Sequence, residues 1–357
     1  MTSRVASGRL ARALVTAIVA LGATTTFAHG DDASTHPTVW VANGIDGDVS
    51  VFDRIDGTEV ARIPVGANPH VLETSIDGSS VYVVLAGGHD LPADNHHGHG
   101  ADGSGAELAT NSLLVLDAAT GDVLAHIAVG LGPTHPVPSP DGTRVYVTNT
   151  DDDSVSVIDT SSWTVLATVT GLPEPHDGAI TSDGKLLLLA AAGSNEVIAI
   201  DTDTLEVSAR YPVGAKVRGL VVDLDDAFAY ASNKADGTIS RIDLASAVVE
   251  SFAVGAGPHG LALAPDGSRL FVALSAANAV AFVDVASGVV TRTVSVGAAP
   301  EQLDLSPDGA LLAVANAVDR TVSLVDVGRG AAVRSLPSGE GTFGVAFSNT
   351  PFHGRKP

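Results

Sequence analysis

VYVTNTDDDSVSVIDTSSWTVLATVTGLPEPHDGAITSDGKL, residues 145–186, decides the fold. It holds four short runs: VYVTN at 145–149, SVSVID at 154–159, TVLATV at 164–169 and GAITS at 178–182. Each is rich in β-branched residues or alternates apolar with polar, the pattern of half-buried strands. Clusters of Asp, Ser, Thr, Gly and Pro separate them, and SDG after the last run suits a tight hairpin. No run carries the helical period. Four short antiparallel strands of this kind make one blade of a β-propeller.

The same unit recurs along the chain. Copies begin at Val39, Val81, Val145, Leu187, Ala229, Phe271 and Leu312, spaced by 42, 64, 42, 42, 42 and 41 residues. A fixed period of this length marks a repeat architecture, and seven copies predict seven blades. A right-handed parallel β-helix also repeats, but with a shorter period and without these hairpins. The ends support a ring: VWVAN (39–43) lacks an inner strand before it, and FGVAFSN (343–349) is an inner strand with no blade after it. Pairing the two removes the open edge. The expected fold is all-β, a seven-bladed propeller over 38–349, with a tail at 350–357.

VYVTN (145–149), SVSVIDTSSWTVLATV (154–169) and PHGLALAPDGSRLFVA (258–273) resemble the YVTN-type seven-bladed propellers. The resemblance covers roughly residues 38 to 349. It implies the fold and little about chemistry, because such propellers serve as surface-layer modules, binding proteins and enzymes.

In a propeller the innermost strand of each blade lines the axis. Counting back seven residues from the hairpin aspartates (Asp77, Asp141, Asp183, Asp225, Asp266, Asp308) finds the residue at the upper mouth of the channel in six blades. Alignment of FGVAF with HGLAL supplies the seventh. The ring reads Phe343, His70, Thr134, His176, Arg218, His259 and Glu301, with His135 one residue off the register. Three histidines occupy alternate slots, with Glu301 beside the third, and neutral imidazoles are a recurring zinc or copper ligand set. Arg218 opposes a cation there; it pairs with Glu301 or holds an anion. The competing reading is packing at the strand mouth.

The long 64-residue spacing contains an insertion, 87–111, with HDLPADNHHGHGADG at 89–103. It falls between VYVVLAGG and NSLLVLD, the second and third strands of its blade, and therefore opens on the same face as the histidine ring. His89, His96, His97 and His99, with three aspartates and no lysine or arginine, suit capture of zinc or copper. The bland alternative is a solvated insertion. His126 falls on an outer strand and His353 in the tail, and neither is given a role. Asp151–Asp153 form an acidic loop on the upper face, read as solvated or as a calcium attractor.

Arg4, Arg9 and Arg12 precede the apolar run LVTAIVALGATTTFA, which ends at Ala28. That is the form of a secretory signal peptide, residues 1–28, followed by a flexible segment at 29–37 containing His29 and His36. Cleavage after Ala28 leaves His29 as an amino-terminal copper chelator in one further reading. The expected location is periplasmic or extracellular. The formal net charge of −22 opposes phosphate backbones, which speaks against nucleic-acid binding. No cysteine is present, so disulfides and thiolate metal sites are excluded. No GxSxG elbow, HExxH or phosphate-cradling glycine loop occurs.

These features predict a monomeric exported metal-binding protein, without membrane insertion after cleavage, that acts as a scavenger or metallochaperone. Zinc is the expected ion and copper the alternative, with a metal transporter or envelope protein as partner. The architecture is similar to that of periplasmic zinc metallochaperones, which join a propeller to a histidine-rich segment. A second class is an enzyme of lyase or lactonase type using the His/Arg/Glu ring. A third is a surface or envelope scaffold.

Overall fold

A computed structural model describes residues 36–66, 68–86 and 111–354. The expected signal peptide, His29, and His89, His96, His97 and His99 lie outside the described residues. Within them, twenty-eight strands form seven four-stranded antiparallel sheets. Six blades are consecutive meanders; blade 2, for example, runs Pro69–Thr74, Ser80–Leu85, Ser112–Asp117 and Val123–Ala128 from axis to rim. The 87–111 insertion thus joins the second and third strands of blade 2, as the sequence predicts.

Blade 1 closes the ring. Its inner strand, Thr342–Ser348, pairs antiparallel with Thr38–Asn43, setting Val39 opposite Phe347 and Val41 opposite Val345. Every residue of that terminal strand is buried. The two ends of the repeat array therefore share one sheet, and Thr38–Asn43 is paired on both sides, like the second strand of every other blade.

The core is divided among the blade junctions. Seven apolar clusters occur among the described residues, each built from two adjacent blades. At the junction of blades 1 and 2, Trp40, Val49 and Val51 meet Leu72, Val83 and Leu114, all at most 1 % exposed. Alternation along each middle strand sends successive side chains to opposite neighbours, so both faces are apolar. Outer strands face solvent along much of their length; at the rim of blade 3, Thr164–Thr170 leaves Leu166 55 % exposed.

Candidate functional site

The inner strands of blades 2 to 7 each begin with a β-bulge. In blade 2 Pro69 pairs with Leu85 and Leu72 with Val83, so His70 and Val71 together oppose one residue. The same irregularity occurs at Pro133/Pro136, Pro175/Asp177, Val217/Leu220, Pro258/Leu261 and Pro300/Leu303. A bulge frees backbone groups and re-aims two consecutive side chains instead of one. The freed carbonyls are taken up by the preceding blade. The His176 carbonyl accepts hydrogen bonds from Thr134 Oγ1 (2.8 Å), Thr148 Oγ1 (3.1 Å) and His135 Nδ1 (2.7 Å). The His259 carbonyl accepts one from Ser232 Oγ at 2.6 Å. These bonds fix the backbone from which each imidazole projects.

His70, His135, His176 and His259 are each 6 % exposed. The rings of His135 and His176 lie 5.3 Å apart centre to centre, and those of His176 and His259 5.5 Å apart. His70 stacks on Phe343 at 5.2 Å, which directs it to the blade 1 side of the channel. Burial, then the charges of Arg218 and neighbouring imidazoles, holds His176 well below the ordinary histidine value. His259 is held low by burial, then Lys234, then Arg218. Both are neutral at pH 7. The Nδ1 atoms of His176 and His259 and the Nε of Arg218 are buried without a hydrogen-bond partner among the described residues.

Sequence reasoning placed these side chains at one end of the axis, and the structure brings His135, His176 and His259 together with the charge of Arg218. It does not join Arg218 to Glu301, and no ion pair links them among the described residues. Nor does any group of three or more His, Asp or Glu side chains cluster closely enough to hold a metal ion among those residues. Beside the ring, a cavity of about 450 Å³ is lined by Thr134, Thr150, Asp151, Asp153, Glu174, His176 and Arg218. The acidic loop here has structural partners: Asp152 accepts from the Leu131 amide and Asp153 from the Glu174 amide. His126 bonds Ser112 Oγ at 2.8 Å on the outer strand of blade 2.

The lower channel was not anticipated. A second cavity, about 460 Å³, is lined by Glu73, His135, Asp177, Gln302 and Asp304 between apolar walls that include Leu220, Leu261 and Leu263. His135 spans the two levels: its Nδ1–H donates to the His176 carbonyl, so its Nε2 is the acceptor for the Gln302 amide. Asp177 Oδ1 lies 3.8 Å from that Nε2. Burial pushes Glu73 up to about 8, aided by Asp304, and Asp304 up to about 6. Asp177 rises to about 7 from burial. Asp177 Oδ2 accepts from the Leu220 amide and Asp304 Oδ2 from the Phe347 amide, each in the next blade. The signal for this set was a charge inside an apolar inner-strand run, as in HVLET and EQLDL. Counting one residue per blade hid it: the bulge presents a second residue at His135, Asp177 and Gln302, and Glu73 and Asp304 follow it in regularly paired positions.

A YNCE-like beta-propeller family model matches residues 213–303, the stretch from blade 5 into blade 7. No curated protein matches the chain. Among solved structures, Kuenenia stuttgartiensis hydrazine synthase is similar at 18 % identity and a TM-score of 0.69, covering 85 % of this chain and 99 % of that one. The Pseudomonas aeruginosa periplasmic gluconolactonase PpgL is similar at 20 % identity and 0.69, covering 88 % and 99 %. A functionally unknown protein from Desulfotomaculum acetoxidans reaches 0.72 at 14 % identity, covering 88 % and 99 %. At these identities the likeness is one of fold: the chain is a seven-bladed β-propeller, with a YNCE-like match over residues 213–303.

Proposed function

We propose that this protein is an exported carrier of a divalent metal ion, zinc before copper, held at the upper mouth of the axial channel. One observation carries the reading: two neutral imidazoles, His176 and His259, lie 5.5 Å apart with buried Nδ1 atoms that have no hydrogen-bond partner among the described residues. A buried polar atom without a partner is costly, and a neutral imidazole nitrogen is a preferred zinc and copper donor. Two such nitrogens suit the ion in kind, with Glu301 in the slot beside His259, while His70 lies two slots from His176 and turns to Phe343. Bound there, the metal would be cargo, and the chain's work is to offer lone pairs and exclude competing protons. The histidines of 89–103 are proposed to collect the ion on the same face.

Zinc titration of the purified protein tests this. Replacing His176 or His259 with alanine should weaken the tight site by more than about 100-fold, beyond the roughly 10–100-fold loss typical of groups that only orient a ligand. His126→Ala should leave it unchanged. Deleting 89–103 should lower the number of ions bound while the fold persists. Equal zinc binding by His176→Ala, His259→Ala and the parent would end the proposal.

A second reading, a lactone-processing or lyase-type enzyme, is favoured by the lower cavity. Glu73 near 8 and Asp304 near 6 stand where a proton donor and acceptor for neutral pH would be needed. Its expected signature is turnover of a sugar lactone that Glu73→Gln abolishes without changing zinc affinity.

A further inference from the structure

The upper cavity carries unmatched charge of both signs. Arg218, on the inner strand of blade 5 (Val217–Val222), lines it together with Asp151, Asp153 and Glu174 from the blade 3 and blade 4 side. No ion pair joins the guanidinium to any of the three among the described residues, and its buried Nε has no hydrogen-bond partner there. His176, only 6 % exposed, lines the same cavity, and its Nδ1 is likewise without a partner among the described residues. Glu174 is fixed in place: its amide donates to Asp153 Oδ1 at 2.9 Å and its carbonyl accepts from the Ala192 amide at 3.0 Å. It stands at φ 45°, a left-handed conformation that Gly132 and Gly257 supply at the matching positions before the inner strands of blades 3 and 6. A side chain kept where glycine is the easier choice points to a use for its carboxylate.

Such a lining selects by sign. A simple anion would meet three carboxylates, and a simple cation would meet Arg218. From these observations we propose that the cavity binds a small zwitterion of the α-amino acid class. The ligand's carboxylate would accept hydrogen bonds from the Arg218 guanidinium, whose planar fork matches it, and from the His176 Nδ1–H. Its ammonium group would donate to the Glu174 carboxylate across the cavity, with Asp151 and Asp153 adding to the negative potential there. Burial and the charge of Arg218 keep His176 neutral, so it donates a hydrogen bond without adding a second fixed charge. The volume of about 450 Å³ lies within the roughly 300–1,000 Å³ of small-molecule sites. This inference needs no metal ion and does not rest on the carrier reading. Because His176 is common to both, zwitterion and metal ion would compete for it.

The test is isothermal titration of the full chain, in EDTA to exclude metal, with a panel of the L-amino acids. At least one should bind saturably with a Kd below about 1 mM. For that amino acid, the analogue lacking the amine and the analogue lacking the carboxylate should each bind at least about tenfold more weakly. Arg218→Gln should weaken the amino acid at least about tenfold, since it removes the charge that holds the carboxylate. Glu174→Gln should weaken it too, while narrowing the gap to the analogue without an amine. Far-ultraviolet circular dichroism establishes that the variants are folded, and the comparison of analogues on the parent decides the matter even where a variant is not. No amino acid binding below about 1 mM overturns the inference and leaves the carrier reading to the zinc titration. Equal affinity for the analogue without an amine overturns it in favour of a plain carboxylate site. Undiminished binding in folded Arg218→Gln overturns it as well.

Discussion

Asn233, the last residue of a second strand, makes three hydrogen bonds while fully buried. Its Nδ2 donates to Thr238 Oγ1 and Ser240 Oγ at 2.9 Å each, and its Oδ1 accepts from the Gly214 amide at 3.0 Å. Asn43, Asn149 and Asn316 donate to matching side chains in their own blades, so the N of each YVTN-like run closes a corner. Replacing Asn233 with alanine strands two hydroxyls and an amide, and should cost about 2–3 kcal/mol. Urea unfolding checks this: the midpoint should fall with an unchanged slope. A loss under about 0.5 kcal/mol would mean that water substitutes for the amide. Gly219 shows a different constraint. A Cβ there would run into the His259 carbonyl, so the glycine after a mouth residue is required by the next blade's backbone.

The inner strand that closes the ring is the element on which the architecture depends. Residues Thr342–Ser348 bury Phe343, Val345, Ala346 and Phe347, and Gly344 packs against the backbone of His70 and Val71. Burying one large apolar side chain contributes about 1.5–3 kcal/mol. Removing 343–357 should therefore cost more than about 5 kcal/mol, comparable with the whole stability of many domains. The expected outcome is loss of the cooperative transition or a large drop in melting temperature, read by calorimetry. A truncated chain that melts as the parent does would show that the ring holds without its closing strand. The bulges at the inner-strand mouths are the second decisive element. They turn a one-residue-per-blade ring into a two-residue ring, and so put His135, Asp177 and Gln302 in the channel beside the expected histidines.

At the scale of the whole molecule, three blades bury the carboxyl groups of Glu73, Asp177 and Asp304 around one cavity of the channel. This gives stability a pH dependence with a definite sign. Glu73 is raised from 4.5 to about 8, so its contribution is fully present below about 4.5 and is lost as pH rises toward 8. At about 1.4 kcal/mol per pKa unit, and with channel water screening the site, the loss between pH 5 and 8 is roughly 2 kcal/mol. Glu73→Gln removes that ionisation and should reduce the slope, the remainder coming from Asp177 and Asp304, which are raised in the same sense. Chemical unfolding at pH 5, 6.5 and 8 measures it; parallel pH profiles in the parent and the variant would contradict the assignment.

Much of this molecule is legible in the order of its residues. The 42-residue period, the hairpin aspartates and the unmatched runs at 39–43 and 343–349 determine seven blades and a closed ring, because strand pairing and alternation are local rules repeated. Register counting also found His70, His176, Arg218 and His259 at one end of the axis. Which of those side chains meet is a tertiary matter. His70 turns to Phe343, while the rings of His176 and His259 meet edge to face, and no ion pair joins Arg218 to Glu301 among the described residues. The carboxyl groups of the lower channel acquire near-neutral pKa values only because three distant blades bury them together. Local pattern specifies how each blade forms, but convergence on the axis depends on bulge geometry and on partners about 40 to 230 residues away in the chain.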